Sequence, residues 1–296
     1  IFMLLLGMMV SALAFGAALA DFSPRRLVEV IQAVALGTML LNGIALWKQE
    51  TRHTRRTVRG PDPTFAESWQ RFASGDAALR RLIVVGVGTL AFSMADILLE
   101  PFGGEVLALT VSTTTRLTAL LALGGLLGFA WASWVLGRGA DPFRLAWCGA
   151  LLGIPAFVLV IAAASLATPA LFLFGNFLIG FGGALFGHGT LTATMNRAPR
   201  EQAGLALGAW GAVQATAAGL GIALSGGLRD LVNALHAPAN GLFGASGAAN
   251  GYVSVYLLEI ALLVDAIAAA RPLIGRRAIP RLRPACNDMR GDQPTP

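Results

Sequence analysis

The sequence predicts an all-α integral membrane protein, a bundle of transmembrane helices, and three observations carry that prediction. The 296 residues are 55% hydrophobic and only 13% charged, with a mean hydropathy of +0.67. That charge share is about half that of an ordinary soluble domain. Eight stretches are apolar over roughly the 20 residues a helix needs to cross a bilayer, and the basic residues gather on alternate connections between them. Too few polar side chains remain to cover a water-facing surface, which excludes an ordinary cytosolic enzyme. Disorder is excluded as well, because it needs low hydrophobicity and high charge.

The apolar stretches run over about 1–20, 27–47, 82–100, 106–136, 143–166, 170–195, 202–225 and 251–270. None shows the ten-residue alternation of an outer-membrane barrel strand. The first lacks a basic start and is followed by further spans, unlike a signal peptide. Its first residue is Ile1, which agrees with a chain lacking its natural start. The 36 glycines suit helices packed closely in lipid. Cys148 lies in an apolar run and Cys286 in a polar tail, so neither a disulfide framework nor a zinc site is indicated.

Charge sets the orientation. All but four of the 22 basic residues fall in 48–81, 137–144, 196–201 or the tail from Arg271. With eight spans these segments share one side, which the positive-inside rule makes cytoplasmic. Arg25, Arg26 and Arg229 lie opposite, and Arg116 lies within a span. The net charge of +6 is thereby explained by contact with anionic membrane lipid, without nucleic acid.

Two helices, a long basic loop and six closely connected helices match the layout of the major facilitator architecture, in which two six-helix halves enclose a cavity. On this reading 1–47 holds the last two helices of the N-terminal half. Residues 48–81 are a cytoplasmic inter-half loop, 82–270 the C-terminal six-helix half and 271–296 a basic cytoplasmic tail. About eight helices of an expected twelve are present, and the chain is N-terminally incomplete. Within the loop, Phe65, Trp69 and Phe72 at i, i+4, i+7, with Glu67 and Arg71 between them, predict a short amphipathic helix on the inner membrane face. It serves either as a linker covering the bundle or as a docking helix for a partner.

Ionisable residues inside spans are expensive and therefore candidates for function. Asp96 and Glu100 are four apart on one helix face, and Pro101, Gly103 and Gly104 are expected to break the helix before Glu105. Arg116 lies about 16 Å down the next helix at 1.5 Å per residue, where Asp96 is the nearest carboxylate by depth. The pair is either an ion pair locking two helices or a polar anchor for a ligand. Glu259 sits deep in the last span and completes this intramembrane polar cluster, while Tyr252 reads as an interfacial anchor.

A second group surrounds His188. Gly183 and Gly187 form a GxxxG pair that predicts close helix approach, and Gly204, Gly208 and Gly211 extend the surface on the next helix beside Trp210 and Gln214. Glycines around an imidazole leave room for something flat, and a neutral imidazole is a good axial ligand for a metal in a macrocycle. The alternative is a histidine hydrogen-bonded to a neighbouring helix, and Gln214 is expected to bond within the bundle. No GxxxxGK[ST], HExxH, CxxC or GxSxG motif occurs, so no residues support catalysis.

The stretches DILLEPFGGEVLALTVSTTTRLTALLALGGLLGFAWA (96–132) and FGHGTLTATMNRAPREQAGLALGAWGAVQATAAGLGIALSGGLRD (186–230) closely resemble the PucC/LhaA family, the bacteriochlorophyll-delivery branch of the major facilitator superfamily. The resemblance extends over about 82–270. It implies a light-harvesting complex assembly factor of the bacterial inner (intracytoplasmic) membrane. Such a factor handles bacteriochlorophyll as cargo and escorts antenna polypeptides, with chlorophyll synthase a further partner. It makes His188 a candidate ligand of the pigment magnesium, with Gly183, Gly187, Trp210 and Gln214 around it. The alternative function is a proton-coupled facilitator of a small solute, motivated by Asp96, Glu100 and Arg116.

Overall fold

The computed structural model describes residues 23–47, 64–75, 77–198, 202–235 and 247–275, with a few isolated positions before residue 23. Most of the predicted span 1–20 and the tail after 275 lie outside the described residues. Eight α-helices make up the described chain: α1 (Pro24–Leu46), α2 (Phe65–Ala73), α3 (Ala78–Glu105), α4 (Val111–Gly137), α5 (Pro142–Leu166), α6 (Pro169–Arg197), α7 (Ala203–Leu235) and α8 (Gly247–Ala270). All except α2 are long and apolar enough to cross a membrane.

Local chemistry sets several helix ends. Ser23 caps α1 by accepting from the Arg26 N–H at 3.1 Å, and a proline at the first helical position follows. Thr64 and Glu67 form a reciprocal capping box on α2. Its Phe65, Trp69 and Phe72 rings line up at 6.4 and 5.7 Å between centroids. Asp141 caps α5 through the Phe143 N–H at 2.9 Å. Its other carboxylate oxygen accepts the Gly275 N–H at 2.6 Å, where the backbone turns at φ +77° just past α8.

Pro101 does not end α3. The helix continues through Gly103 and Gly104 to Glu105. Proline removes one backbone bond, but neighbouring helices can support a spanning helix across that gap. Gly103 is a packing residue: a Cβ there would stand 3.1 Å from Phe172 and 3.4 Å from Leu117. Likewise α7 continues through Gly226 and Gly227 to Leu235, so Arg229 lies on a helix and not in a connection.

Helices α3 to α8 form one bundle. α6 packs on α5 and α4, α3 packs on α7 and α8, and α5 also meets α8. The core joins Phe92 and Phe102 of α3, Phe157 of α5, Phe172 and Phe186 of α6, and Tyr252 and Tyr256 of α8. No residue in the apolar window of α1 is buried.

Helices α4, α5 and α6 approach to backbone contact, but not along the predicted stripe. A Cβ at Gly128 would stand 2.6 Å from the Phe181 carbonyl oxygen, and one at Gly149 would stand 2.6 Å from that of Gly182. Cβ atoms at Gly124 and Gly180 would collide with the carbonyl oxygens of Phe177 and Leu121. Gly175 and Gly189 make similar approaches to α5. Gly183 touches only the Phe92 ring, at 3.5 Å, while Gly187, Gly204, Gly208 and Gly211 have nothing within 4 Å among the described residues. The GxxxG spacing marks a stripe of small residues. It does not say which stripe of a helix glycine-rich all round meets a neighbour.

Candidate functional site

The geometry around His188 is built by α4, α6 and α7. His188 is half-buried on α6. Its Nδ1 is enclosed and has no hydrogen-bond partner among the described residues, so the expected bond to a neighbouring helix is not made. The Phe129 ring of α4 meets the imidazole edge-on, with centroids 5.0 Å apart at 71°. Gly187 beside it leaves open space. On the following turn Thr190 is the connecting residue. Its hydroxyl donates to the Gly187 carbonyl at 3.0 Å and accepts the Trp210 indole N–H from α7 at 3.3 Å. Trp210 is therefore tied to the turn that carries His188. Gln214, one turn further along α7, is half-buried and makes no hydrogen bond among the described residues, contrary to expectation.

The acidic cluster divides into three parts. Asp96 and Glu100 are both exposed on α3. Glu100 accepts the Thr118 hydroxyl of α4 at 2.7 Å, whereas Asp96 makes no hydrogen bond or ion pair among the described residues. The Arg116 side chain, its expected partner, lies outside the described residues. Glu105 accepts the Tyr252 hydroxyl at 2.7 Å, and Arg229 donates to the same phenolic oxygen at 2.9 Å while pairing with Asp230 at 3.0 Å. Tyr252 is thus fully buried and cross-linked, not an interfacial anchor. A phenol reaches inward when a carboxylate and a guanidinium at the bundle end supply both its hydrogen-bonding needs. Glu259 is fully buried, and neither of its carboxylate oxygens finds a partner among the described residues.

Sequence reasoning missed Phe129 and gave Thr190 no role, although both help form the His188 surroundings. It also missed Asn176, which is buried on α6 and donates to the Leu117 carbonyl of α4 at 2.8 Å. An asparagine within an apolar span was the available signal, since amides in such positions bond across helices. Among the described residues no three His, Cys, Asp or Glu side chains converge as a metal site. A cleft of about 430 Å³ opens at the Asp141 end, lined by Leu136, Asp141, Thr192, Asn196, Arg197 and Gly275.

Comparisons with known proteins address the chain as a whole. Residues 1–278 match the family model described as PUCC protein. The chain is 55% identical over 234 residues to Protein PucC of Rhodovulum sulfidophilum, covering 78% of this chain and 52% of the relative. It is 49% identical over 272 residues to Protein PucC of Cereibacter sphaeroides, covering 92% and 58%. A more distant similarity, 27% over 283 residues, covers 91% of the chain and 63% of the bacteriochlorophyll synthase 44.5 kDa chain of Rhodobacter capsulatus. The chain spans about half the length of the curated PucC relatives it matches.

Proposed function

Because the chain belongs to the PucC family, we propose that this multi-pass membrane protein handles bacteriochlorophyll during assembly of the light-harvesting apparatus. His188 is the observation that carries the reading. Its imidazole lies inside an apolar bundle, stands edge-on to Phe129, adjoins the open side of Gly187, and engages neither ring nitrogen with the protein among the described residues. The donor type fits: a neutral imidazole can ligate the magnesium of a chlorin, and the nitrogen free to do so is Nε2, since Nδ1 is enclosed.

When present, the pigment would supply the metal and the flat macrocycle. The chain's own residues do the rest. Phe129 limits how the imidazole rotates, and Gly187 keeps side-chain bulk away from one flank. Thr190 and Trp210 hold α6 to α7 at that level. Gly183, one turn before Gly187 on α6, touches Phe92, and Gln214 would offer a further polar group from α7. The protein works as a carrier, not a catalyst, in the bacterial inner membrane, with 48–81 and 271–296 facing the cytoplasm. Its partners are light-harvesting antenna polypeptides and chlorophyll synthase. The name of the Rhodobacter capsulatus relative, a bacteriochlorophyll synthase chain, supports the pigment association.

An absorption spectrum of detergent-purified protein from phototrophic membranes tests the reading, with His188→Ala alongside. Near-infrared pigment absorbance in the wild type and its loss from a folded His188→Ala protein are expected. A wild-type preparation free of pigment would refute it, and so would full pigment retention by the variant.

A further inference from the structure

Glu259 presents a problem that the pigment reading leaves unsolved. It lies midway along α8, is wholly enclosed, and neither carboxylate oxygen meets a hydrogen-bond donor among the described residues. The Tyr256 hydroxyl, one turn earlier, is also enclosed and without a partner there. Tyr256 stacks on Phe157 of α5 at 6.2 Å and 22°, and meets Phe102 of α3 edge-on at 5.5 Å and 82°. One turn beyond Glu259, Leu263 reaches Gly153 of α5, close to Phe92 of α3. Residues 256, 259 and 263 share one helix stripe, so Glu259 points into the junction of α8 with α3 and α5.

Phe102 of α3 meets Tyr256 and Phe92 of α3 lies beside Leu263, so Asp96, between them on α3, stands at the level of Glu259 on α8. Of the other charges on these helices, Glu105 and Arg229 hold Tyr252, Asp230 pairs with Arg229 and Glu100 accepts from Thr118, while Arg80 and Arg81 lie in the first turn of α3, Arg144 in the first turn of α5, and Asp265 is exposed further along α8. Two carboxyl groups therefore stand at one level of the α3–α8 contact, one exposed on α3 and one sealed in the bundle. Like charges in so apolar a setting repel, and a buried carboxylate without compensation costs several kcal/mol. A positive charge between them removes both penalties. The ligand set is too small for a multivalent metal, which needs six or more oxygens or a complete tetrahedral shell.

We propose that Glu259 and Asp96, with the Tyr256 hydroxyl as third ligand, form an intramembrane site for a singly charged cation, a proton or a sodium ion. Asp96 is the point of entry and Glu259 the enclosed end. The site is separate from the His188 surroundings and does not depend on pigment binding.

Infrared spectroscopy of the full chain in lipid nanodiscs, labelled with ¹³C-glutamate, tests this in sodium-free and sodium-containing buffers at neutral and mildly alkaline pH. A bound proton gives a protonated-carboxyl carbonyl band that moves with the glutamate label and with D₂O, persists into alkaline buffer and ignores sodium. Bound sodium instead gives a saturable loss of that band and a saturable rise in melting temperature. Under either outcome Glu259→Gln abolishes the signal and Asp96→Asn shifts it. Should Glu259→Gln fail to fold, the labelled wild type and Asp96→Asn, whose side chain is exposed, still decide. Wild-type protein with neither a persistent glutamate band nor a sodium response would overturn the proposal. An unchanged signal in Glu259→Gln would do the same.

Discussion

The Tyr252 hydroxyl donates to the Glu105 carboxylate at 2.7 Å, joining α8 to the end of α3. Arg229 donates to the same phenolic oxygen from α7 at 2.9 Å, so one buried phenol ties three helices. Tyr252→Phe keeps the ring contact with Phe102 but removes both bonds. Glu105 is exposed and can recover water, which limits the loss to about 1–2 kcal/mol. A lowered unfolding midpoint in detergent is expected, and an unchanged midpoint would contradict this account.

Two alanine substitutions on α6 should behave oppositely. Gly180→Ala places a methyl against the Leu121 carbonyl oxygen and must push α4 from α6, at about 1–3 kcal/mol. Gly187→Ala meets open space and gains helix propensity, up to about 1 kcal/mol. On the proposed function, however, Gly187→Ala also narrows the pigment site. Melting curves combined with near-infrared absorbance separate the two effects, and equal destabilisation by both variants would rule out this packing scheme.

Thr190→Val leaves the Trp210 indole N–H without its acceptor and the Gly187 carbonyl without its hydroxyl donor. The expected cost is about 0.5–1.5 kcal/mol per lost bond. Tryptophan emission offers a local readout, with a change in position or intensity expected relative to a Trp210→Phe control. Identical emission in wild type and Thr190→Val would show that the link is not formed.

Asp141→Ala removes the α5 cap and the acceptor of the Gly275 N–H together. Loss of a cap alone costs about 1 kcal/mol, and the second bond adds a comparable amount. Gly275→Ala, forced into the left-handed region, should cost about 1–2 kcal/mol by a separate route. Because the two changes share one contact, their combination should be less than additive in thermal unfolding.

Helix number and placement were largely legible because apolar length alone determines where a chain can span lipid. Contacts between helices were not. Pro101 and the Gly226–Gly227 pair are local breakers by propensity, yet α3 and α7 run through them with neighbouring helices packed alongside. Tyr252 was misread because its partners Glu105 and Arg229 are 147 and 23 residues away in sequence, and only folding brings them together. His188 stood out as a lone imidazole within an apolar span. Its edge-on neighbour Phe129 did not, since phenylalanine in a span is ordinary.

Backbone-level packing of α6 against α4 and α5 has a mechanical consequence. Where glycine meets carbonyl oxygen, no side chain is available to rotate aside, so these three helices resist parting and move as a slab. The boundary of α6 with α7 is different, bridged among the described residues by the Trp210–Thr190 hydrogen bond. On the proposed function, a bulky guest approaching His188 would meet a wall on the α4–α5 side and a door on the α7 side.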